Sequence, residues 1–122
     1  MYKILIVDDS TDLLQLFSMV FKIKGYEVQT ASSRLETLTL LSGFVPDIIL
    51  LDIRLHGENG RELCREIKQR DWINPIHIIL MSASPYMLVN YEECLADGIL
   101  EKPFELKMVI DKVSAVLNAK KW

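Results

Sequence analysis

Three acids, a hydroxyl and a lysine recur at equivalent places in this chain of 122 residues, because short apolar runs end in them. Asp8 and Asp9 follow Lys3-Ile4-Leu5-Ile6-Val7, and Asp52 follows Ile48-Ile49-Leu50-Leu51. Ser82 follows the run from Ile76 to Met81, and Lys102 follows Ile99-Leu100-Glu101. Apolar runs bounded by turn signals read as strands buried on both faces, as in a parallel sheet. The five polar residues then sit at carboxyl ends of strands, where open α/β sheets place ligands and chemistry. Neighbouring carboxylates raise one another's pKa unless a cation intervenes. Mg2+ answers this: it takes one or two carboxylates, keeps several waters and leaves room for a phosphate oxygen. A carboxylate can act as a covalent nucleophile, while a metal ion and a lysine neutralise transferring phosphoryl oxygens. The set is therefore what holding a phosphoryl group on an aspartate requires. Plainer roles exist for each member. One of Asp8 and Asp9 can cap the first helix, Ser82 can cap a later one, and Lys102 can be a solvated turn residue. Lys102 precedes Pro103, and such a bond can be cis in a tight turn.

The elements that must position these residues alternate in type. After the first strand, Ser10 and Thr11 are N-cap candidates and Asp12 suits a first helical turn. Leu13, Phe17, Val20 and Phe21 recur at helical spacing, and Gly25 is the natural stop. Tyr26 to Ala31 reads as a more peripheral second strand. Ser32 or Ser33 can cap a second helix with Leu35, Leu38 and Leu41 inward, ended by Gly43 and Pro46. The run into Asp52 is the third strand. A third helix after Gly60 turns Leu63 and Ile67 inward. Asn74-Pro75 breaks the pattern before the fourth strand. A fourth helix is expected from Pro85, a favoured first helical position, to near Asp97-Gly98. The fifth strand follows, then a fifth helix with Leu106, Val109, Ile110, Val113, Val116 and Leu117 on one face, fading into Lys120-Lys121-Trp122. Strands alternating with helices imply βαβ units and a parallel sheet covered on both faces. Five such strands fit a flavodoxin-like sheet, whose order reverses between the first and third strands. Topology thus gathers Asp8, Asp9 and Asp52 around one crevice.

Composition is that of a soluble globular domain, with 50% hydrophobic and 25% charged residues. The formal net charge of −3 leaves no electrostatic footprint for nucleic acid or an anionic membrane. No apolar run reaches the roughly 18 residues of a membrane span, and no signal-peptide layout is present, so a cytoplasmic location is expected. Cys64 and Cys94 read as reduced thiols. His77 reads as a packing residue within a strand and Trp72 as a cover for the core edge. The apolar surplus Tyr86, Met87, Leu88, Val89 and Tyr91 fits either core packing or a partner surface.

The residues Ile6-Val7-Asp8-Asp9-Ser10, Asp47 to Asp52 with Gly60 after it, Met81-Ser82-Ala83 and Lys102-Pro103-Phe104 resemble the receiver domain of two-component response regulators. The resemblance spans Ile4 to about Leu117 and implies one receiver domain over residues 1–122. It implies a flavodoxin-like (CheY-like) five-stranded parallel sheet of order 2-1-3-4-5, with five helices on both faces. It implies that Asp52 is the phosphoacceptor, loaded from the phosphohistidine of a sensor histidine kinase or phosphotransfer protein. Asp8 and Asp9 are then expected to hold Mg2+ with Asp52 and the backbone carbonyl of Arg54. Ser82 takes the switch hydroxyl position, and Lys102 contacts the phosphoryl oxygens. Phosphorylation is expected to draw Ser82 inward and rearrange the face of the fourth helix, fifth strand and fifth helix, which controls an output domain, partner or homodimer. The domain is thus a signalling module that assists its own phosphorylation and dephosphorylation rather than an enzyme.

Three positions depart from that family. Ile99 stands where a switch aromatic is usual, His56 where a proline is common, and Leu95 where a helix-ending glycine is frequent. Leu95 is neutral, while Ile99 and His56 keep a phosphorylation-independent pseudo-receiver, a protein-binding module, as the alternative. A haloacid dehalogenase-type phosphatase needs D-x-D after its first strand, which is missing here. A flavodoxin needs a phosphate cradle where this chain has acids. Met1, just before the first strand, reads as an N-terminus. The end at Trp122 fits a stand-alone receiver or one followed by an effector.

Overall fold

The structure, a computed structural model, describes residues 1–119. In chain order the strands are β1 (Lys3–Val7), β2 (Glu27–Ala31), β3 (Ile48–Asp52), β4 (Arg54–Leu55), β5 (Glu58–Asn59), β6 (His77–Ser82) and β7 (Gly98–Glu101). The α-helices are α1 (Thr11–Ile23), α2 (Arg34–Leu41), α3 (Gly60–Lys68) and α4 (Leu106–Asn118). The five longer strands make one parallel sheet in the order β2-β1-β3-β6-β7, which is the expected 2-1-3-4-5 arrangement.

Every residue of β3 and β6 is buried. Alternation along the strands divides the core in two. Ile4, Ile6, Ile48, Leu50, Ile79 and Met81 face Phe17 and Phe21 of α1 and Val109 and Val113 of α4. Leu5, Val7, Ile49, Leu51, Ile78 and Leu80 face Leu41 of α2 and Leu63 and Ile67 of α3. Each aliphatic side chain so buried contributes roughly 1.5–3 kcal/mol. Four of them in β3 can therefore support one costly charge at its end. Helices α1, α2 and α3 start at side-chain caps. The Ser10 hydroxyl accepts from Leu13 N (3.3 Å), that of Ser33 from Glu36 N (3.1 Å), and the Asn59 amide oxygen from Arg61 N (2.8 Å). His77 lies 3.5 Å from the Asp97 carboxylate, and Trp72 Nε1 donates to Ile67 O at 2.8 Å. Both cysteines are free and buried. Among the described residues, no helix is long and apolar enough to cross a membrane. Lys120, Lys121 and Trp122, the expected fading end, lie outside the described residues.

Several expectations need correction. Leu14, not Leu13, joins Phe17 and Phe21 in the buried arc of α1; Leu13 and Val20 flank it. In α2 Thr37 and Leu41 are buried and Leu38 packs against the core, while Leu35 is 75% exposed. At about 100° per residue Leu35 lies opposite Thr37, whose hydroxyl donates to Ser33 O at 2.8 Å. The loop after Asp52 is a tight antiparallel hairpin, in which Leu55 pairs with Glu58 across His56 (φ 48°) and Gly57 (φ 82°). Two consecutive positive φ angles are what a two-residue hairpin turn needs, and proline could not stand at His56.

The largest correction concerns the expected fourth helix. Residues 85–95 form two 3-10 turns instead, Pro85–Leu88 and Tyr91–Cys94. They are separated by Val89 in extended and Asn90 in left-handed conformation. The described residues therefore hold four α-helices rather than five. Backbone carbonyls that a helix would use internally are taken by side chains of α3. Arg61 donates to Met87 O, Val89 O and Asn90 O, and Arg65 donates to Glu93 O.

Leu95 ends the second turn at φ 70°. A left-handed L-residue costs roughly 1–2 kcal/mol, and glycine costs about 0.4–1 kcal/mol in extra chain entropy. Since Leu95 is 44% exposed, Leu95→Gly is expected to raise stability by roughly 0.5–1 kcal/mol. A lower denaturation midpoint in the variant would show that leucine packing outweighs the backbone cost.

Candidate functional site

The carboxyl edge of the sheet assembles the five residues. Asp8 directly follows β1 and is fully buried; its neighbour Asp9 is exposed. Asp8 Oδ1 accepts from Ser10 N at 2.9 Å, and its Oδ2 accepts from Lys102 Nζ at 2.8 Å. Asp52, the last residue of β3, is buried and aligned with Met81 of β6. Its Oδ1 accepts from Arg54 N at 3.3 Å and its Oδ2 from Lys102 Nζ at 3.4 Å. Lys102 follows β7, with its N–H on Ser82 O at 2.8 Å and a cis bond to Pro103. Ser82 is buried at the end of β6, and its hydroxyl oxygen accepts from Ser84 N at 3.0 Å. Asp9, Asp52, Arg54, Ser82, Ser84 and Lys102 line an open cleft of about 350 Å³. Oxygens of Asp8, Asp9 and Asp52 lie within 4.8 Å of one another.

The electrostatics follow from this crowding. Burial, and then the charge of Asp8, push the Asp52 carboxyl above its ordinary value; Lys102 and the Arg54 N–H oppose them. Burial works most strongly against the Lys102 charge, yet the Asp8 hydrogen bond and the charges of Asp8 and Asp52 together hold its pKa above the usual value. One ammonium thus pairs with two of three clustered carboxylates. The remaining negative charge, offered as oxygen donors with one acid open to solvent, fits a hard divalent cation that keeps some waters.

All of the expected side chains meet at this edge. Arg54 lines the cleft too, and its N–H lies on Asp52. His56 is exposed on the hairpin, with its N–H a long 3.5 Å from Asp9 Oδ2. Ile99 is half-buried against the core. Gly60 gains a physical reason that sequence reasoning lacked. A Cβ there would lie 2.7 Å from Ile53 Cα and closer still to the Asp52 carbonyl oxygen. The start of α3 is packed directly behind the acid's strand, and Gly60 N donates to Ile53 O at 2.6 Å. Asn59 was also missed as a cap. Its signal was a side-chain amide just before a helical pattern.

A parallel sheet of this order, with acids and a lysine at its switch-point crevice, defines an α/β domain with an acidic cleft at its carboxyl edge. The family described as the response regulator receiver domain matches residues 4–114, and the chain belongs to it. A two-component response regulator from Clostridium difficile is 26% identical over the whole of both chains, with a TM-score of 0.89. The signal receiver domain of a signal transduction histidine kinase from Syntrophus aciditrophicus is 28% identical, with 99% of this chain and 93% of that one covered and a TM-score of 0.87. The response regulator TrrA of Thermotoga maritima, solved in complex with Mg(2+)-BeF, is 30% identical over 95% of this chain and 99% of that one, with a TM-score of 0.81. Receiver domains are signalling modules rather than classical enzymes. They bind Mg2+ in an acidic pocket and interact with histidine kinases and output domains.

The raised pKa of Asp52 makes a signed prediction. The folded state holds the Asp52 proton more tightly than the unfolded state. Stability from this group is therefore present at low pH and lost as pH rises from the unfolded carboxylate value through the folded one. In metal-free buffer Asp52→Asn should have the higher denaturation midpoint at neutral pH, and the gap should close below about pH 4. A midpoint below that of the native chain at neutral pH would show that the Lys102 contact outweighs the repulsion.

Proposed function

We propose that this chain is a single phosphoryl-accepting receiver over residues 1–122, with Asp52 as the acceptor. A carboxylate oxygen of Asp52 attacks the phosphorus of a phosphohistidine on a sensor histidine kinase or phosphotransfer protein. The P–N bond breaks as the P–O bond forms, and the histidine nitrogen leaves. Water later attacks the phosphoryl group, releasing inorganic phosphate and restoring the carboxylate. The observation that carries this reading is Lys102 Nζ bridging Asp8 and Asp52 at 2.8 and 3.4 Å across an open cleft. An ammonium so placed can follow the charge from carboxylate to phosphoryl oxygens. Asp8, Asp9, Asp52 and the backbone carbonyl of Arg54 would hold Mg2+, which when bound supplies positive charge to the phosphoryl oxygens. The Ser82 hydroxyl, engaged by Ser84 N, becomes a donor to the phosphoryl group once it turns inward. The output surface is the one expected beside the fifth strand. Its fourth-helix part is built from the turns Pro85–Leu88 and Tyr91–Cys94, the first of which lies against β7. Through it the receiver controls an output domain, a partner protein or a second copy in the cytoplasm.

Incubation with Mg2+ and acetyl phosphate, followed by intact mass measurement, is expected to add one phosphoryl group. Chelation of Mg2+ or Asp52→Asn should abolish the adduct, and Lys102→Ala should slow its formation by about 10²-fold. An unmodified chain with both acetyl phosphate and a kinase donor would favour the pseudo-receiver. Mg2+ should also raise the denaturation midpoint of the native chain, and Asp9→Ala should abolish that rise. An equal response in the variant would remove Asp9 from the metal site.

A further inference from the structure

Helix α3 presents a row of hydrogen-bond donors to the segment that replaces the expected fourth helix. Arg61 Nη1 donates to Met87 O (2.9 Å) and Val89 O (2.8 Å), and Nη2 donates to Asn90 O (2.9 Å). Cys64 Sγ donates to Cys94 O (3.3 Å), and Arg65 Nη1 donates to Glu93 O (2.6 Å). These three residues share one face of α3, at spacings of three and four. A guanidinium offers five N–H donors in a fixed fork, so Arg61 can satisfy three carbonyls that diverge.

The carbonyls it holds are the ones a helix would use. In an α-helix Met87 O accepts from Tyr91 N and Val89 O from Glu93 N. Here Glu93 N reaches only Asn90 O, at 3.0 Å, in the tighter pattern of a 3-10 turn. The break itself is Asn90 at φ 57°, a conformation that asparagine tolerates better than most residues. Pro85 meanwhile stands where a helix favours proline, at the first position. The local sequence and the tertiary hydrogen bonds thus favour different conformations.

We propose that Arg61 is a latch, whose fork on Met87, Val89 and Asn90 holds residues 85–95 as two 3-10 turns that close into an α-helix when the fork is withdrawn. The latch joins two loops leaving the acidic cleft. Arg61 follows the hairpin that begins two residues after Asp52, and the segment it holds begins three residues after Ser82. This placement goes beyond phosphoryl transfer and does not depend on it, since the bonds involve none of the acids, Ser82 or Lys102.

The test is backbone NMR on the full chain. In Arg61→Ala the 13Cα shifts of residues 86–94 should move to helical values, and far-UV ellipticity at the helical band should deepen. Shifts in β1 and β3 report that the fold is retained. Arg61→Lys keeps the charge and the stem without the fork. It should move the same resonances in the same direction and carries the test if Arg61→Ala does not fold. Adding Asn90→Gly, which favours the left-handed break, should return the shifts toward those of the native chain. Unchanged shifts in both Arg61 variants would overturn the latch, and so would a move to random-coil values.

Discussion

The Lys102 ammonium between the carboxylates of Asp8 and Asp52 is the interaction on which the rest of the structure depends. Asp8 is fully buried and Asp52 nearly so, and an isolated buried charge costs far more than any one hydrogen bond returns. With Lys102 at 2.8 and 3.4 Å, the two acids share one cation, and backbone N–H groups of Ser10 and Arg54 satisfy their remaining oxygens. The compensation is incomplete, because Asp9 adds a third carboxylate within 4.8 Å. The site is therefore ordered without being electrically satisfied, and burial keeps the Asp52 carboxyl above its ordinary pKa. That residual demand is what makes it suited to a cation and then to a phosphoryl group.

The fold supplies the geometry that this balance needs. Asp8, Asp52 and Lys102 lie 44 and 50 residues apart in the chain, and the parallel order β2-β1-β3-β6-β7 brings their strand ends to one edge, with β1 beside β3 and β7 one strand further on, beyond β6. Two apolar layers fix the strands, one against α1 and α4, the other against α2 and α3. Gly60 lets α3 start against the backbone of Asp52 and Ile53. The same helix reaches over the next loop with Arg61, so one element touches both the acid strand and the turn Pro85–Leu88.

The parts legible in the sequence were those that depend on local pattern. The run Ile48 to Leu51 ending in Asp52 announced a buried strand with a charge at its tip, and the spacing of Asp8, Ser82 and Lys102 announced the edge. Helix phase was less legible. Leu35 looked inward because leucine usually is, yet the cap at Ser33 and the buried Thr37 turn it to solvent. The segment after Pro85 was misread for a different reason. Its residues carry an acceptable helical pattern, and the carbonyls a helix would use there meet a guanidinium 26 to 29 residues away, which no local pattern shows. The hairpin at His56-Gly57 was also hidden, because its signal is two positive φ angles rather than alternating hydrophobicity.

The central claim is that the incompletely neutralised carboxylate of Asp52, rather than its two acidic neighbours, receives the phosphoryl group. Borohydride reduces an acyl phosphate on aspartate to homoserine, which leaves a permanent mark at the acceptor. Reduction of the acetyl phosphate-treated chain followed by peptide mass mapping should place homoserine at position 52. Homoserine at position 8 or 9, or none in a chain that carries the phosphoryl mass, would contradict the account.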